Sequence, residues 1–309
     1  MGVSDAQETT PPDAGRVGEV FLAFLKLGLT SFGGPIAHLG YFRDELVLRR
    51  KWISDDAYAE LVALCQFLPG PASSQTGFVL GLLRAGPLGA LAAWTAFTLP
   101  SSLLMLAVAS GASSLQGAVA AGAIHGLKLV AIVIVAQAVW GMARSLTPDL
   151  RRASIAAVAA LVLVLSGGAI GQVAAIVIGG LAGLVLCREP AASPGDGLPV
   201  RVSRHVGIAS LTLFAAMLLA MPVISAALGG PGWSLFDIFY RAGALVFGGG
   251  HVVLPLLRAD LVPTGLMTDD QFLAGYGAAQ ALPGPLFAIA GYLGPIAARS
   301  AWGALPAIL

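Results

Sequence analysis

A stretch near the start of this chain returns, degraded, near its end, and that duplication constrains the fold more than any other feature. The first copy reads KLGLTSFGGP over 26–35, SDD over 54–56 and QFLPGP over 66–71. The second reads RAGALVFGGG over 241–250, TDD over 268–270 and QALPGP over 280–285. Lys26 and Arg241, Gly28 and Gly243, and Phe32 and Phe247 stand 215 residues apart; Asp55 and Asp269, Gln66 and Gln280, and Pro69 and Pro283 stand 214 apart. A period above 200 residues is far too long for a solenoid repeat. The chain is an internal duplication, with one lobe per copy.

Composition says what surrounds those lobes. Of 309 residues 57% are hydrophobic and 11% charged, and the mean hydropathy is +0.85. Soluble domains carry about 25% charged residues, so lipid must replace water over most of this surface. Forty glycines and nineteen prolines fit membrane helices, which tolerate both. A net charge of +1 with no long basic cluster excludes a nucleic-acid surface. Cys65 and Cys187 lie in apolar runs and form no metal or disulfide pattern; no cofactor is called for. Residues 1–15 read as a disordered polar tail without the features of a signal peptide.

A membrane helix needs about 20 apolar residues, and runs near 88–110, 117–140, 150–166, 168–187 and 206–228 qualify. The repeated segments do not. The run over 17–31 is broken by Phe32-Gly33-Gly34-Pro35, and 56–68 is broken by Pro69-Gly70-Pro71 before 72–84 resumes. Proline removes a donor and clashes with the preceding turn, and broken backbone at membrane depth survives only inside protein or beside a watery cavity. Segments 17–47 and 56–84 therefore read as re-entrant helical hairpins. Making both re-entrant also keeps Arg49-Arg50-Lys51 and Arg84 on the same, cytoplasmic, face as Arg144, Arg151, Arg152, Arg188, Arg201 and Arg204. Five crossings then separate the copies, so the repeats are inverted. The expected fold is an all-α polytopic membrane protein of two inverted repeats: tail 1–15, first repeat 16–187, loop 188–204, and second repeat 205–309. The second copy stops where the first enters its third element, and we read it as incomplete, a truncated second lobe.

Inverted repeats with discontinuous helices are the architecture of secondary transporters, whose sites lie between the breaks. Half-helix N-termini carry positive dipole ends and free amides that suit an anion. After Pro71, the residues Ser73, Ser74, Gln75 and Thr76 add hydroxyls and an amide; ordinary helix capping is the competing explanation. Lys26 and Arg241 each lie in an apolar run two residues before a repeated glycine. A cation at a bilayer centre costs about 2.5–3.5 kcal/mol, so two at matched positions imply an anion to offset them, with snorkelling as the alternative. Together with two helix ends of about half a charge each, they suit a small divalent oxyanion. Gln66 and Gln280, three residues before Pro-Gly-Pro breaks, are placed to bond exposed backbone or ligand. Lys128 is a third intramembrane cation, for binding or gating; His38 and His251, and His125 beside Lys128, are candidates for proton-linked roles. Asp55, Asp56, Asp269 and Asp270 follow Ser54 and Thr268 and read as capped first turns, structural rather than functional.

These residues are similar to those of the chromate ion transporter family. The likeness rests on SFGGPIAHLGYFRDELVLRRKWISDDAYAELVALCQFLPGPASSQTGFVLGLLRAG at 31–86, on LVFGGGHVVLPLLRADLV and QALPGPLFAIAGYLG within 245–294, and on GLKLVAIVIVAQAVW. It implies a two-lobed transporter of the inner or plasma membrane that exports chromate and confers resistance to it. It directs attention to Lys26, Phe32, Gly33, Gly34, Pro35, Arg43, Gln66, Pro69, Gly70 and Pro71. In the second lobe it points to Arg241, Gly248, Gly249, Pro283, Gly284 and Pro285. Sulfate, of the same charge and shape, is the alternative substrate; a non-transporting truncated form and a homodimer remain open. A membrane reductase lacks support: the chain has no dinucleotide fingerprint, haem-type ligand pair or Cys-x-x-Cys.

Overall fold

The computed structural model describes residues 14–112, 147–166, 168–187, 202–246 and 253–302, with isolated positions between 122 and 144. Among the described residues every regular element is a helix. Lys128, Gly248, Gly249 and His251 lie outside them.

Helix α1 (Ala14–Thr30) stops at Ser31-Phe32-Gly33, and α2 (Gly34–Phe42) starts with Pro35 in its first turn. The break is a glycine conformation: Gly33 has φ +93° and Gly34 φ +79°, values costly for any residue with a Cβ. A π-helical turn over Arg43–Arg49 continues α2 toward Trp52. Helix α3 (Asp55–Phe67) is capped by Ser54, whose hydroxyl accepts the Ala57 amide at 3.3 Å. It ends at Leu68-Pro69-Gly70-Pro71.

Helix α4 (Ala72–Ala112) has 41 residues, which would measure about 60 Å if straight, twice the hydrocarbon thickness of a bilayer. It is not straight. Ala85 (φ −143°, ψ 24°) and Gly86 (φ 67°, ψ −160°) leave the helical region, and Pro87 opens a second arm. The arms return on each other through Gly81 and Gly89: a Cβ on either would collide with the other's carbonyl. The apolar run expected over 88–110 is this second arm.

Helices α5 (Leu150–Ser166) and α6 (Gly168–Leu186) pack together as a pair. Helix α7 (Arg204–Leu228) follows, apolar along 25 residues with none buried, and lies beside α8 (Pro231–Ala244). Helices α9 (Val253–Leu261) and α10 (Asp269–Ala281), a 3-10 turn over Leu286–Ile289, and α11 (Ala290–Trp302) complete the second lobe. Among the described residues α4 and α7 are long and apolar enough to cross a membrane.

Two cores meet along the second arm of α4. Ala93, Ala96 and Phe97 belong to the first, with Val20, Phe24, Phe42 and Leu61. Met105 and Ala109 belong to the second, with Leu257, Phe272, Ile289 and Leu293. Gly28 lets α1 press on this arm, since a Cβ there would stand 2.8 Å from the Phe97 carbonyl oxygen. Phe97 packs edge-on against Phe42 (5.1 Å), Phe24 (6.5 Å) and His38 (5.4 Å), an aromatic layer directly beneath the first break.

Candidate functional site

The breaks of one repeat are tied to the breaks of the other. The amide of Gly284, in the second Pro-Gly-Pro, donates to the carbonyl of Ser31 at 2.9 Å. The amide of Gly70, in the first Pro-Gly-Pro, donates to the carbonyl of Val246 at 2.6 Å. Ser31 and Val246 are repeat equivalents, as are Gly70 and Gly284, so one bond is the counterpart of the other. Gly70 (φ +121°) and Gly284 (φ +103°) adopt the same left-handed backbone. Neither has room for a side chain: a Cβ on Gly70 would meet the Gln75 amide at 2.5 Å, and one on Gly284 the Ser101 hydroxyl at 2.6 Å.

The correspondence extends outward. Arg43 grips Asp55 through two hydrogen bonds of 2.6 Å, and its counterpart Arg258 grips Asp269 at 2.7 and 3.0 Å. Each clamp anchors the helix after a break to the helix before the next. In both, the guanidinium holds the aspartate below its usual range. Thr268 caps α10 in a full capping box with Gln271. The structural role expected of these aspartates therefore has a specific partner for Asp55 and Asp269.

Lys26 and Arg241 differ from expectation. Neither faces an anion alone, because the chain supplies the counter-charge. Lys26 Nζ donates to Glu45 at 3.1 Å, and that carboxylate also receives Arg49 and Arg50. Arg241 sits between Asp237 at 3.0 Å and Asp260 at 3.8 Å. Glu45 and Asp260 are themselves repeat equivalents, so each copy pairs its helix cation with an acid beyond its break. Side chains on a helix lean toward its N-terminus, which carries Lys26 away from the break and toward the Arg49-Arg50-Lys51 turn. The sum of two free positive charges and two helix ends therefore does not hold. A second carboxylate, Glu19, takes Arg84 at 2.9 Å and Arg50 at 3.4 Å, with both guanidinium groups stacked over Trp52. The first hub holds four cations against two acids; the second holds one cation against two.

What stays unpaired at the crossing is neutral. Among the described residues, the buried side-chain polar atoms lacking a hydrogen bond are the Ser31 hydroxyl, both ring nitrogens of His38, Gln75 Oε1, and the hydroxyls of Thr76 and Thr98. Each such group costs about 1–3 kcal/mol if nothing satisfies it. Ser31 and His38 are both 0% exposed; the Ser31 backbone is the polar neighbour of the imidazole. The Thr76 hydroxyl lies beside the Cys65 thiol. Gln75 Nε2 donates to the Pro69 carbonyl at 2.7 Å. Only the NH2 end can donate, so the amide orientation is settled and Oε1 is left as an acceptor. In the second copy the equivalent positions are Val246 for Ser31, Val253 for His38, Ile289 for Gln75 and Ala290 for Thr76. Among the described residues these unpaired polar groups all lie in the first repeat. The helix start differs between the copies too: α4 begins as an α-helix at Ala72, whereas the equivalent residues of the second copy form the 3-10 turn Leu286–Ile289.

The remaining expected site residues are spread around this crossing. Ser73 is buried in the first turn of α4, and Ser74 lines, with Gln75, Cys65, Leu61, Phe78 and Trp94, a mostly apolar cavity of about 550 Å³ between α3 and α4. Phe32 and Gly33 are exposed at the break itself. Gln66 is exposed, whereas Gln280 is buried and donates to the Tyr276 hydroxyl at 3.0 Å. His125 is exposed. Sequence reasoning missed Thr98 and Ser101, which have no unusual local context, Ser31, which stands directly before the first break, and the acids Glu45 and Asp260. The 215-residue offset that links Lys26 to Arg241 links those two acids as well.

The profile of the Chromate transporter family matches residues 18–184 and 233–309. The chain belongs to that family. Among its relatives, a chromate transport protein of Pseudomonas aeruginosa is 32% identical over 95% of this chain and 70% of its own length. A probable chromate transport protein of Synechococcus elongatus is 32% identical over 88% of this chain and 67% of its own. An uncharacterised transporter of Methanocaldococcus jannaschii is 26% identical over 90% and 68%. No solved structure matches the chain. Both halves of the duplication fall within the chromate transporter match, and the crossed breaks lie in its two segments.

Proposed function

We propose that this protein is a membrane transporter of chromate and not an enzyme, and that the oxyanion passes through the crossing of the four breaks. The observation that carries this reading is the reciprocal pair Gly284–Ser31 and Gly70–Val246, together with the buried Ser31 hydroxyl, His38 imidazole and Gln75 Oε1 that lack hydrogen-bond partners in the flanking segments. Family membership and the relatives' names support the substrate. Broken backbone at such a point is tolerable where it lines a cavity, and the first-turn amides of α2 and α4 are suited to oxyanion oxygens.

In this reading the two repeats, 16–187 and 205–309 about the loop 188–204, are inverted, and the hairpins 17–47 and 56–84 re-enter from the cytoplasmic side of a multi-pass inner membrane. Gly33, Gly34, Pro69, Gly70, Pro71, Ser73, Ser74 and Gly284 form the backbone cradle, with Phe32 at its rim, and Ser31, His38, Gln75 and Thr98 complete it. Gln280 braces the second loop, and Gln66 borders the first from outside. Lys26 and Arg241 act from within their ion pairs, holding the hairpins in place and shaping the local potential. Gly248 and Gly249, which come shortly after Val246 in the sequence, are kept as binding candidates, and Lys128 and His251 as gating or proton-linked ones.

Export is the favoured direction on energetic grounds. Moving one negative charge out of a cell that is negative inside releases about 2.3 kcal/mol per 100 mV, so the voltage alone drives efflux, and resistance follows. Sulfate is the second substrate by size and charge, and a homodimer in the lipid bilayer is the assembly to test. Labelled chromate and sulfate flux in proteoliposomes at a set voltage is the experiment. Saturable chromate flux that sulfate inhibits is expected; equal accumulation with and without the protein defeats the reading.

A further inference from the structure

We propose that the basic hub around Glu45 binds the phosphate of an anionic phospholipid, with one chain of that lipid lying along the exposed stripe of α1. This rests on the chain being a membrane protein, and not on the route that chromate takes through it.

The hub carries more positive charge than its acids offset. Lys26, Arg49 and Arg50 meet on Glu45, and Arg50 and Arg84 meet on Glu19. Four cations on two carboxylates leave a net charge of +2. The acid next to Glu45 in the chain, Asp44, acts on Arg43, in the separate clamp with Asp55. Hydrogen-bonding capacity is left over as well. Among the described residues Arg49 gives only Nη1, at 2.7 Å from Glu45 Oε2. Its Nε–Nη2 edge remains, the fork that fits two oxygens of a phosphate. Lys26 Nζ meets the same Glu45 oxygen at 3.1 Å, and an ammonium has two further protons to give. The two cationic heads thus converge on one point, and both side chains are more than half exposed. One tetrahedral oxyanion can reach both. Arg50 and Arg84 stand behind them over Trp52 and add to the field.

The neighbours of Lys26 select a lipid. Helix α1 buries Val20, Phe24 and Leu27 and turns outward Leu22, Lys26 and Leu29, whose spacings of four and three put them on one face. The two leucines are 66% and 49% exposed, and Leu48, beside Arg49, is exposed too. An anion that nears Lys26 from its open side therefore travels along leucine. A hydrated ion gains nothing there, whereas a phosphate joined to a hydrocarbon chain fits both the cations and the stripe. Trp52 has the two-sided character of a residue at the membrane–water boundary, its indole N–H on Glu19 and its ring near Phe24. Basic pockets between membrane helices take anionic headgroups; a choline headgroup would bring a cation to a site that is already positive. The second repeat offers no counterpart. Arg241 lies between Asp237 and Asp260, and no base stands between Arg258 and Asp269. The lipid therefore comes from one leaflet, the one that meets the Arg49-Arg50-Lys51 turn.

The test uses the full chain in neutral detergent, titrated with phosphatidylglycerol or phosphatidylcholine of identical chains, with bound lipid counted by native mass spectrometry. Phosphatidylglycerol should bind at least about tenfold more tightly. Arg49→Gln should lose about fivefold of that affinity, the factor for one base at an anionic surface, and leave phosphatidylcholine unchanged. Arg299→Gln, which removes an exposed base of the second lobe, should alter neither. Arg49→Lys keeps the charge and loses the fork, so it should weaken binding less than Arg49→Gln does; it carries the test if Arg49→Gln does not fold. Equal affinities for the two lipids overturn the proposal, as does parental affinity in both Arg49 variants. Displacement of phosphatidylglycerol by inorganic phosphate, where chloride of the same ionic strength has no effect, gives the hub to a free oxyanion and overturns it too. None of these readings involves flux, so the lipid site and the transport reading stand or fall separately.

Discussion

The amide of Gly284 reaches across 253 residues of chain to the carbonyl of Ser31, at 2.9 Å, and the same bond is made in reverse by Gly70 and Val246. Each Pro-Gly-Pro loop thus closes on the residue that stands, in sequence, two before the first glycine of the other repeat's Phe-Gly-Gly motif. The loops are fixed where proline leaves neighbouring carbonyls without their helical donors, and the two repeats share one centre.

Adding a side chain at either loop should be felt in transport before it is felt in folding. Gly284→Ala places a Cβ against the Ser101 hydroxyl on a backbone with φ +103°, a strain on the order of 1–3 kcal/mol. Chromate flux in proteoliposomes should fall at least about tenfold while membrane insertion persists. Gly243→Ala, with nothing within 4 Å of its Cβ, should transport as the parent does.

The pairing of Lys26 with Glu45 makes a prediction opposite to that for a free cation. Lys26 is half exposed, so its loss should cost less than about 1 kcal/mol of stability. Glu45→Gln should do more damage, because it leaves Lys26, Arg49 and Arg50 without their shared acceptor. Restoration of flux in the double variant Lys26→Met/Glu45→Gln relative to Glu45→Gln alone, in a double-mutant cycle, marks the pair as a unit.

Acid should loosen both clamps together. Arg43 and Arg258 depress Asp55 and Asp269 below the ordinary 3.8. A carboxylate with a lowered folded pKa contributes stability that is full above its unfolded value and is lost as pH falls through the folded one. The Tm in detergent should therefore be flat at neutral pH and drop below about pH 4. Asp55→Asn should lower the Tm at neutral pH, and the difference from the parent should vanish in acid.

Topology can be read by labelling. Cysteines introduced at Lys51 and at Gly265, in a background lacking Cys65 and Cys187, should react with impermeant reagent from opposite faces, Lys51 from the cytoplasm. Reaction of both from one side contradicts the inverted arrangement.

Much of this was legible in the chain. The all-helical class followed from hydropathy, and the breaks followed from Gly33, Gly34, Pro69, Gly70 and Pro71, residues whose backbone preferences act locally. The folding back of α4 did not stand out, because Gly81 and Gly89 look like two of many glycines until the arms meet. Nor did the fate of the cations: the sequence places Lys26 in an apolar run, but a flexible side chain reaches Glu45 nineteen residues on, a distance that only the folded turn defines. Ser31 is the sharpest case. It stands directly before the Phe32-Gly33-Gly34-Pro35 break, but that place does not show that the loop of the other repeat lies against it.

Ser31 also gives the most direct test. Exchanging it for the residue its repeat partner carries, Ser31→Val, removes a buried hydroxyl but adds bulk. Ser31→Ala, which removes the hydroxyl alone, is therefore measured beside it and should lose flux alike, and Val246→Ser is the mirror control. Initial rates of labelled chromate flux in proteoliposomes at one set voltage decide the matter. At least about tenfold loss in Ser31→Val, with Val246→Ser near the parent, is the predicted result. Parental flux in Ser31→Val would contradict a substrate path through the crossed breaks.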